Sequence, residues 1–271
     1  MTASVVLPVS NDGKLFNCAA FISSGEILGI IPKTFLPTTG EFYENRWFSS
    51  ENDRMNNEII CPVTGQKIPF GSDILFFANN FRECVIGIEI CEDLWAPIPP
   101  SSSMAIAGAT LILNLSASNE IIGKYEYRTT LVKSQSARCI SVYGYTSSGP
   151  GESSTDLVFS GHSIIAENGV ILKQSERFQF NTQVVIADVD LQKIINERTK
   201  NSTYSQSKTD KKYRNIAFSL KTEKKSKEFF RNISKTPFVP DVAINDDNEY
   251  SKRCREIFSL QSTGLSKRLK S

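Results

Sequence analysis

Cys91 ends the apolar run 85–90 and is followed at once by Glu92 and Asp93, then by Trp95 and the breaker Pro97. A β-branched run of this length reads as a buried strand. A cysteine at its tip is held by the sheet while its thiol leaves the turn, which is how a fold presents a nucleophile. The plainer alternative is a small buried cysteine that only packs. Lys33 closes a second strand, and Ser116 and Ser118 close a third. Strand ends gathered on one edge of an α/β sheet are where sites collect. A lysine beside a thiol favours thiolate and can stabilise an oxyanion. The chemistry this spells is attack on an amide or nitrile carbon, a thioester, and hydrolytic release of an acid, with a carboxylate moving protons.

The chain has one histidine, His162, in Phe159-Ser-Gly-His-Ser-Ile-Ile165. A Cys–His dyad, a Ser–His–Asp triad or a zinc site would each need it. Its place at the mouth of an apparent strand suits a structural role better, so no metal is expected and the activator of Cys91 is expected to be Lys, Arg or Glu. Six cysteines lie far apart with no CxxC pair, and no secretory or membrane-spanning run occurs. Scattered thiols of this kind suggest a reducing, cytoplasmic setting.

The chain's 271 residues, 40% hydrophobic with 17 Phe, suffice for one large α/β domain. A net charge of +2 argues against nucleic acid as a partner. The charge is uneven, with 11 Lys/Arg against 3 Asp/Glu over 200–235. With no aromatic interleaving, that stretch reads as a solvated linker or hairpin rather than a polyanion site.

Strands are expected at 4–8, 15–22, 26–31, 73–77, 85–90, 110–115, 140–145, 159–166, 171–173 and 184–189, with Asn11-Asp-Gly13 a hairpin signal. Helices are expected over 97–109 and from about 120 to 138, the latter on the spacing of Ile121, Tyr125, Arg128 and Val132. Residues 197–236 read as irregular. From about Asp247, Tyr250, Cys254, Ile257, Phe258, Gln261, Leu265 and Leu269 form a helical stripe whose apolar face needs a partner. The order predicts a layered α/β fold with a mixed sheet.

Taken jointly, Pro32-Lys-Thr-Phe-Leu-Pro37 with Glu41-Phe-Tyr-Glu44, Glu89-Ile-Cys-Glu-Asp-Leu-Trp95, Asn114-Leu-Ser-Ala-Ser118 and Gly151-Glu-Ser153 with Thr155-Asp156 resemble the carbon–nitrogen hydrolase (nitrilase-like) domain of glutamine-dependent NAD⁺ synthetases. The resemblance extends to Pro237-Phe-Val-Pro240 and the terminal helix. It implies an αββα sandwich, four-layered on dimerisation, and a Glu–Lys–Cys triad. Cys91 matches the nucleophile, Lys33 the triad lysine, and Glu41 a second glutamate supporting that lysine. The backbone N–H of Glu92 matches an oxyanion donor, while Ser118 and Lys124, with Phe42 beside them, fall where the family holds glutamine. Ser118 could equally cap the following helix, and Lys124 could be a solvated charge.

The resemblance also sets expectations from departures. The family's general-base glutamate and its first strand–helix elements would precede Met1, and Thr39 stands where the family has a tyrosine. No Ser-Gly-Gly-x-Asp-Ser loop occurs, so no cofactor is expected here; ATP and deamido-NAD⁺ would belong to a synthetase domain. The expected organisation is a hydrolase domain over 1–198, a basic irregular segment over 199–236 and a linker helix over 237–271. The implied function is a glutaminase unit supplying ammonia to a synthetase domain or subunit in a homo-oligomer. The alternative is an impaired fragment acting as a binding or assembly module, with Glu41, Glu44 or Glu92 the carboxylates that could substitute for the base.

Overall fold

Strand β2 (Lys14–Ser23) shows why two sheets form. Side chains alternate across a strand, and here both sets are apolar. Phe16, Cys18 and Ala20 bury on one face, and Ala19 and Phe21 on the other. With β1 (Thr2–Asn11) and β3 (Glu26–Pro32) it makes a three-stranded antiparallel sheet ordered β1-β2-β3. The computed structural model describes residues 1–61, 64–154, 156–221, 229–231, 233 and 247–270.

One face of this small sheet packs on a larger one, with Phe21 stacked on Phe76 at 4.0 Å between ring centroids. Gly29 permits that approach, since a Cβ there would lie 2.8 Å from the Phe76 ring. The larger sheet comprises β6 (Ile74–Ala78), β7 (Val85–Ile90), β8 (Leu111–Ser116), β9 (Val142–Ser147), β10 (Ile164–Glu167), β11 (Val170–Gln174) and β12 (Arg214–Phe218). Its order is β11-β10-β9-β8-β7-β6-β12. β7, β8 and β9 run parallel, while β6 against β7 and β10 against β9 are antiparallel. The mixed sheet predicted from the sequence is therefore present. Helices α1 (Pro100–Ile106) and α2 (Lys124–Arg138) cover its outer face through Met104 and Val132, packed with Ile112 and Tyr143. The outer face of the small sheet is covered by a hairpin of β4 (Glu58–Ile60) and β5 (Lys67–Pro69), through Ile59, Ile68 and Phe70.

Several boundaries differ from expectation. α2 begins at Lys124, not near 120, because Gly123 at φ +83° supplies the left-handed turn that starts it. Ser118 therefore caps no helix. Residues 184–189 form no strand. Position 198 lies within α3 (Leu191–Lys200), whose Arg198 is buried and donates to Ala109 O at 2.6 Å, Ile140 O at 2.9 Å and Cys139 O at 3.0 Å. A short helix, α4 (Ser202–Gln206), follows. The basic segment then enters the sheet as β12, parallel to β6, with Arg214 paired to Asp73. Its lysines hid a strand whose alternate residues Ile216 and Phe218 pack into the core.

The chain divides into two units, Met1–Glu228 and Phe229–Ser271. In the second, α5 (Asp247–Lys270) carries exposed Tyr250, Ile257, Phe258, Leu265 and Leu269 along the expected stripe. Thr155 and Pro237-Phe-Val-Pro240 lie outside the described residues. Among those described, no helix is long and apolar enough to cross a membrane, and no group of three His, Cys, Asp or Glu could hold a metal ion.

Candidate active site

Cys91 follows β7 with φ +48°, a left-handed backbone that is uncommon outside glycine and persists where the surroundings impose it. Asn114 supplies part of that constraint from β8, in register with Glu89. Its Oδ1 accepts from Cys91 N at 3.2 Å, its Nδ2 reaches Cys91 O at 3.5 Å, and Ser116 Oγ donates to the same Oδ1 at 2.8 Å. The thiol-bearing residue is half-buried and unpaired by disulfide.

Asp93, two residues on, is buried. Its Oδ2 accepts from Ile90 N at 2.9 Å, and its Oδ1 from Phe35 N at 2.8 Å and Thr34 N at 3.1 Å. Burial pushes its carboxyl up to about 7, against those amides. Glu89 lies wholly inside, accepting from Ser101 N at 2.8 Å and from the Tyr143 hydroxyl, and burial raises it too.

Lys33 is buried at the end of β3. Its N–H donates to Asn17 O at 2.8 Å, and its ammonium donates to the Glu44 carboxylate. Asn17 Nδ2 donates to the other Glu44 oxygen at 2.6 Å. Glu44 opens a 3₁₀ turn, Glu44–Arg46, and its own N–H donates to Pro37 O at 3.0 Å. The carboxylate on the lysine is thus Glu44, where the sequence reading had Glu41. The two are three residues apart in one loop. Glu41 turns instead to Asn119, whose amide donates to it and whose carbonyl accepts from Lys124 Nζ. Lys124 also sits over the rings of Trp95, at 5.4 Å, and Phe42, at 5.7 Å. Burial lowers its ammonium, opposed by the nearby Cys91 and Glu41. Burial likewise raises the Glu92 carboxyl, opposed by Lys33 and Lys124.

A cavity of about 390 Å³ opens here, lined among others by Cys91, Lys33, Glu41, Phe42, Glu44 and Trp47. Of the residues singled out from sequence, Cys91, Lys33, Glu41, Phe42, Glu44 and Ser116 line it. Ser118, Lys124 and Glu92 do not. Ser118 is buried, with its N–H donating to Ser147 Oγ at 3.2 Å. Asn17, Asn114 and Asn119 went unread as site residues. Only Asn114 stood in a quoted motif, and a polar residue amid an apolar strand was the available signal for it and for Asn17.

His162 lies elsewhere, fully buried, with its Nδ1 accepting from Arg128 Nε at 3.1 Å. Arg128 in turn donates to Glu120, which accepts from Ser160 Oγ at 2.5 Å. The arrangement can present a positioned thiol, a buried ammonium and two carboxylates to a small carbonyl compound.

The carbon–nitrogen hydrolase family matches residues 1–198. The chain is 36% identical over 268 residues to a glutamine-dependent NAD(+) synthetase of Mycobacterium tuberculosis, covering 97% of this chain and 38% of that protein. It is 33% identical over 196 residues to the synthetase of Saccharomyces cerevisiae, covering 69% of this chain and 27% of that one. A crystal structure of a glutamine-dependent NAD(+) synthetase from Cytophaga hutchinsonii superposes with TM-score 0.56 at 32% identity, over 67% of this chain and 28% of that chain. A carbon-nitrogen hydrolase from Helicobacter pylori shares the fold at TM-score 0.57 and 17% identity, over 77% of this chain and 68% of that chain. The chain spans about two fifths of the length of the mycobacterial relative.

Proposed function

The chain belongs to the carbon–nitrogen hydrolase family, and from that premise we propose that it is a glutamine amidohydrolase unit that releases ammonia for a synthetase domain or subunit. The observation that carries the reading is the common cavity of Cys91 and the Lys33–Glu44 pair. The Cys91 thiolate attacks the side-chain carboxamide carbon of glutamine. The oxyanion is received by the Lys33 ammonium and the Glu92 N–H. The C–N bond then breaks, and the proton taken from the thiol leaves with the amide nitrogen as ammonia. Water adds to the thioester and returns glutamate and the thiol. Glu44 and Glu41 are the two cavity carboxylates available to carry the proton. Phe42 forms an apolar wall for the substrate, and Lys124, over the Phe42 ring, supports that wall from behind.

This chemistry needs no cofactor in this chain. ATP and deamido-NAD⁺ belong to the synthetase partner, and the exposed stripe on α5 suits assembly in a homo-oligomer. Cysteines scattered without a CxxC pair fit a reducing, cytoplasmic compartment. The test is glutamate release from glutamine by the whole chain beside its Cys91→Ala variant. Release that disappears in the variant supports the reading. Equal rates, or none from either, leave the alternative of an assembly module without catalysis.

A further inference from the structure

We infer that Asp93 is a positioning residue that holds Lys33 against Cys91 by tying two sheets together at the catalytic end. The inference rests on Cys91 and Lys33 working as a pair, as proposed above. The two reach the cavity from different sheets, Lys33 at the end of β3 in the three-stranded sheet and Cys91 at the end of β7 in the seven-stranded one. Beside β6 the sheets are tied by Gly71 N donating to Ile30 O at 3.0 Å and by Glu51, whose N–H donates to Lys33 O at 2.9 Å and whose Oε1 accepts from Ser72 N at 3.0 Å; beside β7 a separate tie is needed. One carboxylate crosses that gap. Its Oδ1 takes the two amides directly after Lys33, Phe35 N at 2.8 Å and Thr34 N at 3.1 Å. Its Oδ2 takes the amide directly before Cys91, Ile90 N at 2.9 Å.

The side chain is 2% exposed, so water does not replace these partners. Charge-assisted hydrogen bonds to backbone N–H groups are short and directional. Three of them on one planar group fix the lysine turn and the cysteine elbow in both translation and rotation. An aspartate suits the place by its reach, being one methylene from a backbone that is itself part of the elbow. The function of Asp93 is thus to set the distance at which the Lys33 ammonium meets the thiolate.

The test reads the thiol without glutamine. Iodoacetamide labelling at pH 7.5 is followed by mass spectrometry for Cys91 and, as an internal reference, for exposed Cys254. Lys33→Met should slow Cys91 labelling about tenfold relative to Cys254, since less thiolate is held. Asp93→Asn keeps two acceptor contacts but places an amide donor against Ile90 N–H. It should slow Cys91 as much as Lys33→Met does, with no further fall in the double variant, because both act through one contact. In glutamine hydrolysis, kcat should fall with KM little changed. Labelling at the parental ratio in a cooperatively melting Asp93→Asn chain would overturn the inference, as would effects that multiply in the double variant. If Asp93→Asn does not fold, Phe35→Pro removes a single lysine-side amide from the half-exposed loop and is judged by the same ratio. Strap-dependent labelling without glutamate release sinks the glutaminase reading alone; glutamate release with strap-independent labelling sinks only this one.

Discussion

Two buried charge clusters in this chain use similar parts to opposite ends. In the first, Lys33 and Glu44 meet under Asn17 and face a cavity with a strained, half-buried cysteine. In the second, Arg128 and Glu120 meet beside Ser160 and His162; Arg128 and His162 are fully buried, and the opening of about 710 Å³ that Glu120 borders is lined, among the described residues, by no cysteine or lysine. Burial would raise the Glu120 carboxyl, yet Ser160, Arg128 and Arg177 together hold it below its ordinary range. The second, closed cluster turns Arg128 and His162 inward on one another and on Glu120, whereas the open one sets a lysine and a carboxylate along a cavity where a reactant can arrive. Possessing the histidine does not make a site. Here the histidine marks the cluster without a nucleophile.

The widest separation of the two clusters should come from Cys91→Ala, which is expected to lower glutamine hydrolysis by about four orders of magnitude or more and leave the melting temperature nearly unchanged. A variant retaining a tenth of the parental rate would place the chemistry elsewhere. Next is the contrast within the open cluster. Glu44→Gln removes the carboxylate hydrogen-bonded to buried Lys33 and should lower kcat/KM about 10³-fold, against about tenfold for Glu41→Gln, whose partner is the neutral Asn119. Reversed magnitudes would return the supporting role to Glu41. In the closed cluster the effect should move from rate to stability. Arg128→Met leaves buried Glu120 with Ser160 and the more distant Arg177 alone and should cost about 3 kcal/mol in urea unfolding, with kcat per folded molecule unaltered. A loss of kcat without loss of stability would make Arg128 part of the machinery.

The open cluster was more legible than the closed one, for a physical reason. Cys91 and Lys33 each end an apolar strand, and an abrupt stop after a buried run is a one-dimensional signal. The strand order announced a layered α/β fold with a mixed sheet, while the sandwich came from the family resemblance; that 14–23 is buried on both faces is visible only in the structure. Glu44 was ambiguous with Glu41 because a loop has no period, and only the 3₁₀ turn beginning at Glu44 decides which carboxylate reaches the lysine. The strand at 214–218 was masked by its charge, because Arg214 finds Asp73 and Phe70 O only in three dimensions. The bridge through Asn119 depends on Gly123 delaying the helix, and the strap through Asp93 joins residues 58 and 59 positions apart. Pairings at such separations leave no spacing rule in the sequence.

The smallest effect is also the most diagnostic, because His162 of the second cluster and Asp93, which straps the open one, titrate in the same window with opposite sign. Burial and Arg128 hold His162 at about 4 instead of its ordinary 6.5, so the folded chain binds that proton less readily than the unfolded one. The stability it contributes is complete above pH 6.5 and is lost as pH falls toward 4. Asp93 is held at about 7 instead of 3.8, so the folded chain takes up its proton more readily and gains stability as pH falls from 7 toward 4. Each change amounts to about 3–4 kcal/mol across its window, so the two largely offset one another in the parent chain. His162→Gln keeps an acceptor for Arg128 and removes one of the two titrations. The difference between parent and variant cancels Asp93, Glu89 and Glu92, which are common to both. Urea unfolding from pH 7 to pH 4 should therefore show the variant gaining about 3 kcal/mol on the parent, nearly all of it below pH 6.5. Parallel curves would mean that the histidine is charged when folded, and the closed cluster would then carry an extra cation that its single carboxylate does not balance.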